Sequence, residues 1–82
     1  MGNKNKYGRQ KCACCGYFTI TEIKEICPIC FWEEDSYQEE NTNDSGGPNL
    51  VSLHNAKLNY VTYGVVDDQF INYVRLPLEE ER

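Results

Sequence analysis

The apolar positions of the C-terminal half fall at helical spacing. Leu53, Ala56, Tyr60 and Val61 stand at i, i+3, i+7 and i+8, and Lys57 at i+4 can lay its stem along the same face. This stripe predicts the main helix over residues 50–63, covering the core with Leu53, Ala56 and Tyr60. Asn49 or Ser52 can cap its start, because a short polar side chain accepts the free N–H bonds of the first turn. Gly64 is placed to end it. Asp67 can cap a second helix with Phe70, Ile71 and Val74 on one face, stopped by Pro77. Upstream, the β-branched and aromatic run Tyr17–Ile20 predicts a strand. Thr21–Lys24 then turns, and Glu25–Cys27 returns as the second strand of a hairpin. Residues 1–10 show no periodicity and read as a flexible basic arm. Residues 11–78 form one domain, and EEER at 79–82 is a charged tail.

The cysteines change this picture most. Cys12 and Cys15 are separated by two residues, as are Cys27 and Cys30, with eleven residues between the pairs. A Cys-x-x-Cys turn points two thiolates at one ion, and zinc prefers four such ligands in a tetrahedron. Gly16 after the first pair frees the chain to take a positive φ as it leaves the turn. Pro28 stiffens the second turn. Cys12, Cys15, Cys27 and Cys30 are therefore the expected ligands of one Zn2+, with iron as the alternative. Four thiolates leave no open position for a substrate water, so the site reads as structural. Cys14 is the odd thiol. Adjacent to Cys15, it reads as a small packing residue; the competing reading is a reactive thiol activated by the ion and Lys11. An 82-residue chain builds a marginal core, which such a staple would secure.

The fold class that follows is small α+β: a zinc-stapled β-hairpin, zinc-ribbon-like, packed against one or two C-terminal helices. Phe31 and Trp32, directly after the last cysteine, are the expected lid over the metal site.

The formal charge is −5, unevenly spread. Lys4, Lys6, Arg9 and Lys11 lie in residues 1–11 without an acid, whereas residues 33–44 hold six acids and no base. The acidic run reads as a solvated loop, or else as a surface for a basic partner. It lacks EF-hand spacing, which argues against calcium. No stretch is long and apolar enough for a membrane span or signal peptide, and the odd cysteine count argues against a disulfide framework. Together these point to a reducing, cytoplasmic setting.

The motifs in sequence order resemble the cysteine-rich CPCC family of small bacterial proteins. CACCGYFTI is similar to its opening motif and EICPICFWEED to its second cysteine turn. GGPNLVSLHNAKLNY is similar to its Gly-Gly-Pro-Asn turn and following helix, and YGVVDDQF and VRLPLEEE to its closing segments. The resemblance covers residues 11–81. Ala13 departs from it by replacing the proline of the family motif, which should loosen the first turn without removing a ligand. The resemblance implies a zinc-ribbon-like metal protein and brings no particular molecular activity with it.

Three functions are compatible with these features. An acidic body favours a basic protein partner, as an inhibitor or regulator of a nucleic-acid-binding protein would have. The basic arm with Tyr7 could instead grip a nucleic acid, which the acidic body opposes. Chemistry could only come from Cys14, His54 and the acids of residues 33–35. Nothing ties these into one site, and His54 reads as an exposed surface histidine. The expectation is therefore an interaction module and not an enzyme, with the oligomeric state left open.

Overall fold

The computed structural model describes residues 4–82. Two short antiparallel strands, β1 (Gln10–Lys11) and β2 (Phe18–Ile20), open the fold. Helix α1 (Ser36–Glu40) and helix α2 (Leu53–Tyr63) follow, then two 3-10 helices at Asp68–Tyr73 and Glu79–Glu81. The core gathers Ile20, Ile29, Trp32, Leu53, Ala56 and Val66 around buried cysteines.

Helix α2 starts at Leu53, later than the predicted residue 50, and ends at Tyr63 as predicted. Ser52 caps it by accepting from Asn55 N, and Gly64 ends it at φ 80 with its N–H donating to Tyr60 O. Leu53 and Ala56 are buried and Tyr60 is half-buried against the core. Val61, placed on the same stripe by spacing, is instead 85% exposed.

The hairpin differs from the sequence expectation. The partner of β2 is Gln10–Lys11 and not Glu25–Cys27, so the hairpin encloses the first cysteine pair instead of joining the two pairs. Cys27 begins the second cysteine turn, and Ile26 makes only an isolated bridge to Glu33. The second predicted helix is a 3-10 helix capped by Asp67. Phe70 and Tyr73 stand one turn apart in it and both meet the Phe31 ring, whereas Ile71 is exposed and Val74 lies just past its end.

The acidic run is largely consumed by local structure. Asp35 caps α1 by accepting from Gln38 N and pairs with Lys24. Glu39 accepts from Trp32 Nε1 and from Asp35 N, and Glu34 from Lys24 N. Asp44 accepts from Tyr37 Oη and Gly46 N. Beneath the run, buried Gln38 accepts from Asn49 N and donates to Asp44 O and Val51 O. The turn passes so close that a Cβ on Gly47 would stand 2.6 Å from the Gln38 side chain, so only glycine fits there.

Within the charged tail at 79–82, Glu81 is only 1% exposed. Its carboxylate accepts from Arg75 (2.9 and 2.7 Å), Arg9 (3.0 Å) and Leu78 N (2.8 Å). Asn5 Nδ2 donates to Glu80 O nearby. Three cationic and amide donors offset the cost of burying this charge. The described part of the basic arm thereby packs against the C-terminus; residues 1–3 of that arm lie outside the described residues.

The Arg75 guanidinium holds the Glu81 carboxyl below the usual carboxylate range. Its stabilising effect is complete above the ordinary pKa of about 4.3 and is lost as pH falls through the lower folded value. Glu81→Gln should therefore lower stability by about 1.5–3 kcal/mol at neutral pH in denaturant titrations of the metal-loaded protein. The difference between variant and wild type should shrink below about pH 4. A pH-independent difference would show that the charge is not what matters.

Candidate metal centre

Two knuckles build the centre, and their backbones follow one pattern. In the first, Gly16 N donates to Cys12 O (2.9 Å) and Cys12 N to Tyr17 O (2.8 Å). In the second, Phe31 N donates to Cys27 O (2.9 Å) and Cys27 N to Trp32 O (2.8 Å). Each chain leaves its turn through a left-handed residue, Gly16 at φ 83 and Phe31 at φ 74. Glycine takes this conformation freely, whereas a bulky residue there costs about 1–2 kcal/mol. The Phe31 ring stacks on Phe70 with centroids 4.3 Å apart and tilts against Tyr73 at 6.1 Å. Aromatic pairs contribute about 0.5–1.5 kcal/mol each, enough to offset the strain. Trp32 beside it is fully buried in the same core cluster as Cys12, Cys27 and Cys30, and Phe31 packs against that cluster.

The remaining chain docks on the second knuckle. Val66 N donates to Cys30 O (2.9 Å) and Arg75 N to Pro28 O (3.0 Å). These bonds bring the segment after α2 over the cysteines.

The four Sγ atoms of Cys12, Cys15, Cys27 and Cys30 lie within 4.8 Å of one another. Cys12 and Cys30 sulfurs are 3.5 Å apart, and Cys15 and Cys27 sulfurs 3.7 Å apart. A tetrahedron with Zn–S bonds of about 2.3 Å has sulfur–sulfur edges of about 3.8 Å. The donor set therefore fits a tetrahedral tetrathiolate metal, and all five cysteines are free of disulfides. Cys12, Cys27 and Cys30 are buried and Cys15 is half-buried.

Sulfur packing also shapes the electrostatics. Contact with Cys15, then Cys27, pushes the Cys12 thiol up, and contact with Cys12 leads the causes that push Cys30 up. Cys27 is held low, first by Cys12, then by Cys15 and Cys30, with Thr19 adding to the effect. Four thiolates in one buried space repel one another, so the cluster needs a cation to be fully ionised. Tyr60 borders it, and burial followed by the nearby Cys15 raises its phenol to about 12.

The other sequence candidates are not drawn in. Cys14 is half-buried against the core and stands outside the four-sulfur group. His54 is exposed on α2, its backbone N donating to Thr42 O. Among the described residues, these four cysteines are the one group of three or more Cys, His, Asp or Glu side chains placed to share an ion. The spacing of the cysteines missed two features: Thr19 Oγ1, which donates to Cys27 Sγ at 3.0 Å, and the left-handed Phe31. Aligning the two Cys-x-x-Cys turns puts Phe31 opposite Gly16, a signal for the second of these.

A family model described as Cysteine-rich CPCC matches residues 10–81, from β1 to Glu81. No curated protein and no solved structure matches the chain.

Replacing any one of Cys12, Cys15, Cys27 or Cys30 by Ser should abolish stoichiometric metal binding, measured by elemental analysis of the purified protein. Cys14→Ser should leave the metal-to-protein ratio unchanged. A fall for Cys14→Ser as large as that for Cys12→Ser would overturn the assignment of the four sulfurs.

Proposed function

The chain belongs to the cysteine-rich CPCC family, and we propose that it is a small structural-zinc protein that works as an interaction module and not as an enzyme. The observation that carries the metal reading is the set of four sulfurs within 4.8 Å of one another, two pairs of them 3.5 and 3.7 Å apart. When bound, Zn2+ supplies a cross-link between the two knuckles, in the manner of a zinc ribbon. Cys12, Cys15, Cys27 and Cys30 fill all four positions, which leaves none for a substrate and argues for a structural role. Iron also suits four thiolates, but zinc has no redox chemistry and needs no tuning of its potential.

The interaction reading rests on charge. Four thiolates and one divalent cation add −2, so the loaded chain carries a formal −7 against −5 without them. Such a field favours a basic protein partner and discourages phosphate backbones. The internal hydrogen bonds narrow where that field is available. The carboxylates of Glu22, Glu33, Glu40, Asp68 and Glu79 form no ion pair or hydrogen bond among the described residues, whereas those of Asp35, Glu39 and Asp44 are engaged. The nucleic-acid alternative is disfavoured by Arg9, whose guanidinium is already bound to Glu81. Lys6 and Lys11 lie over the Tyr7 and Phe18 rings of the chain itself. The fold has no helix long and apolar enough to cross a membrane among the described residues.

Two measurements on the purified protein test this proposal. Elemental analysis should give one zinc per chain and a colourless solution, since zinc is d10. Gel-shift titration with single- and double-stranded DNA and RNA near physiological salt should show no complex. Bound iron would replace the zinc reading. Micromolar binding that disappears when Lys4 and Lys6 are replaced by Ala would replace the interaction reading with nucleic-acid binding.

A further inference from the structure

Strand β2 is irregular at the point where it passes the centre. Gln10 pairs with Ile20 and Lys11 with Phe18, so one step on β1 spans two steps on β2. Thr19 is the extra residue of this bulge. Side chains of a regular strand alternate between faces, and a bulge breaks that alternation and re-aims one of them. Thr19 and Ile20 are accordingly both buried, at 4% and 2% exposure.

The re-aimed side chain points its hydroxyl at a cluster sulfur. Thr19 Oγ1 lies 3.0 Å from Cys27 Sγ, and Ile29 N donates to the same sulfur at 3.4 Å. A neutral thiol is a weak acceptor, and a thiolate, being charged, is a strong one. A buried hydroxyl whose partner is sulfur therefore suits a sulfur that carries charge. Among the described residues no other side-chain hydroxyl or amide donates to any of the four sulfurs. Thr19 belongs to the strand that leaves the first knuckle, yet it reaches a sulfur of the second.

We propose that Thr19 is a positioning residue of the centre, placed by the β-bulge to orient and stabilise the Cys27 thiolate. This rests on the tetrathiolate metal reading above. The hydroxyl lowers the energy of the sulfur lone pairs and fixes the direction of Cys27 toward the ion. The methyl group keeps the packing beside Ile20. Partners of this kind, one shell beyond the ligands, are worth about 10–100-fold in metal affinity.

Cobalt(II) titration tests it, read by the sulfur-to-cobalt charge-transfer band, with zinc affinity measured by chelator competition. Thr19→Val keeps the shape and removes the donor. It should weaken binding about 10–100-fold and move the band to longer wavelength, because the sulfur lone pairs rise in energy. Thr19→Ser keeps the donor and removes the methyl, and should restore band and affinity to within about threefold, well under 1 kcal/mol. Wild-type behaviour of Thr19→Val, or a loss in Thr19→Ser equal to that in Thr19→Val, overturns the proposal. If Thr19→Val does not fold with metal, Thr19→Ser decides alone by the same criterion. A wild-type protein that binds no cobalt through sulfur refutes the metal reading itself, an outcome visible before any variant is made.

Discussion

The approach of the two knuckles, with Cys12 and Cys30 sulfurs 3.5 Å apart and Cys15 and Cys27 sulfurs 3.7 Å apart, is the constraint on which the rest of the molecule depends. The regular structure around it is slight: five residues of strand, a five-residue helix and an eleven-residue helix. Neither strand nor the short helix would persist alone in water. Each instead leans on the knuckles. β1 leads into Cys12, β2 leaves the first turn, Trp32 leaves the second, and α2 lays Leu53 and Ala56 on the same buried cluster. Structural zinc binding is worth on the order of 10–16 kcal/mol in small zinc-finger peptides, comparable to the whole stability of an ordinary domain. Four sulfurs without a cation would repel on ionisation. On the metal reading, the fold and the ion are therefore one equilibrium.

The second organising force is the internal use of carboxylates. Glu81 holds Arg9 and Arg75 together and so joins both ends of the described chain to the strand side of the fold. Asp35, Glu39 and Asp44 act as caps and turn acceptors around the buried Gln38 and Asn49. A chain with 13 acids therefore presents fewer free ones than its composition suggests. That distribution limits any recognition surface to acids such as Glu33 and Glu40, and makes several of the others structural.

Local signals in the sequence were legible and long-range ones were not. The cysteine spacing marked the four sulfurs, and Ser52, Leu53, Ala56 and Gly64 marked α2 with its two ends. Each of these is decided within a few residues. The β1–β2 pairing was hidden because Gln10 and Lys11 look like part of a basic arm, and Lys11 pairs with Phe18 across the knuckle. The burial of Glu81 was hidden because its partner Arg9 lies 72 residues away. The Asp67–Tyr73 segment has apolar residues that serve either helix type. Phe70 and Tyr73 meet the Phe31 ring, a long-range contact that the local pattern does not reveal. Thr19 reads as an ordinary strand residue until the bulge is seen.

The central claim is that the metal-linked knuckles hold the packing of Trp32, Ile20 and α2. Near-ultraviolet circular dichroism and Trp32 fluorescence, followed while a high-affinity chelator removes the metal from the wild-type protein, test it most directly. The account predicts that both signals collapse together with metal release and return when one equivalent of Zn2+ is added under reducing conditions. A protein that keeps its near-ultraviolet signal and buried Trp32 after complete metal removal would contradict it.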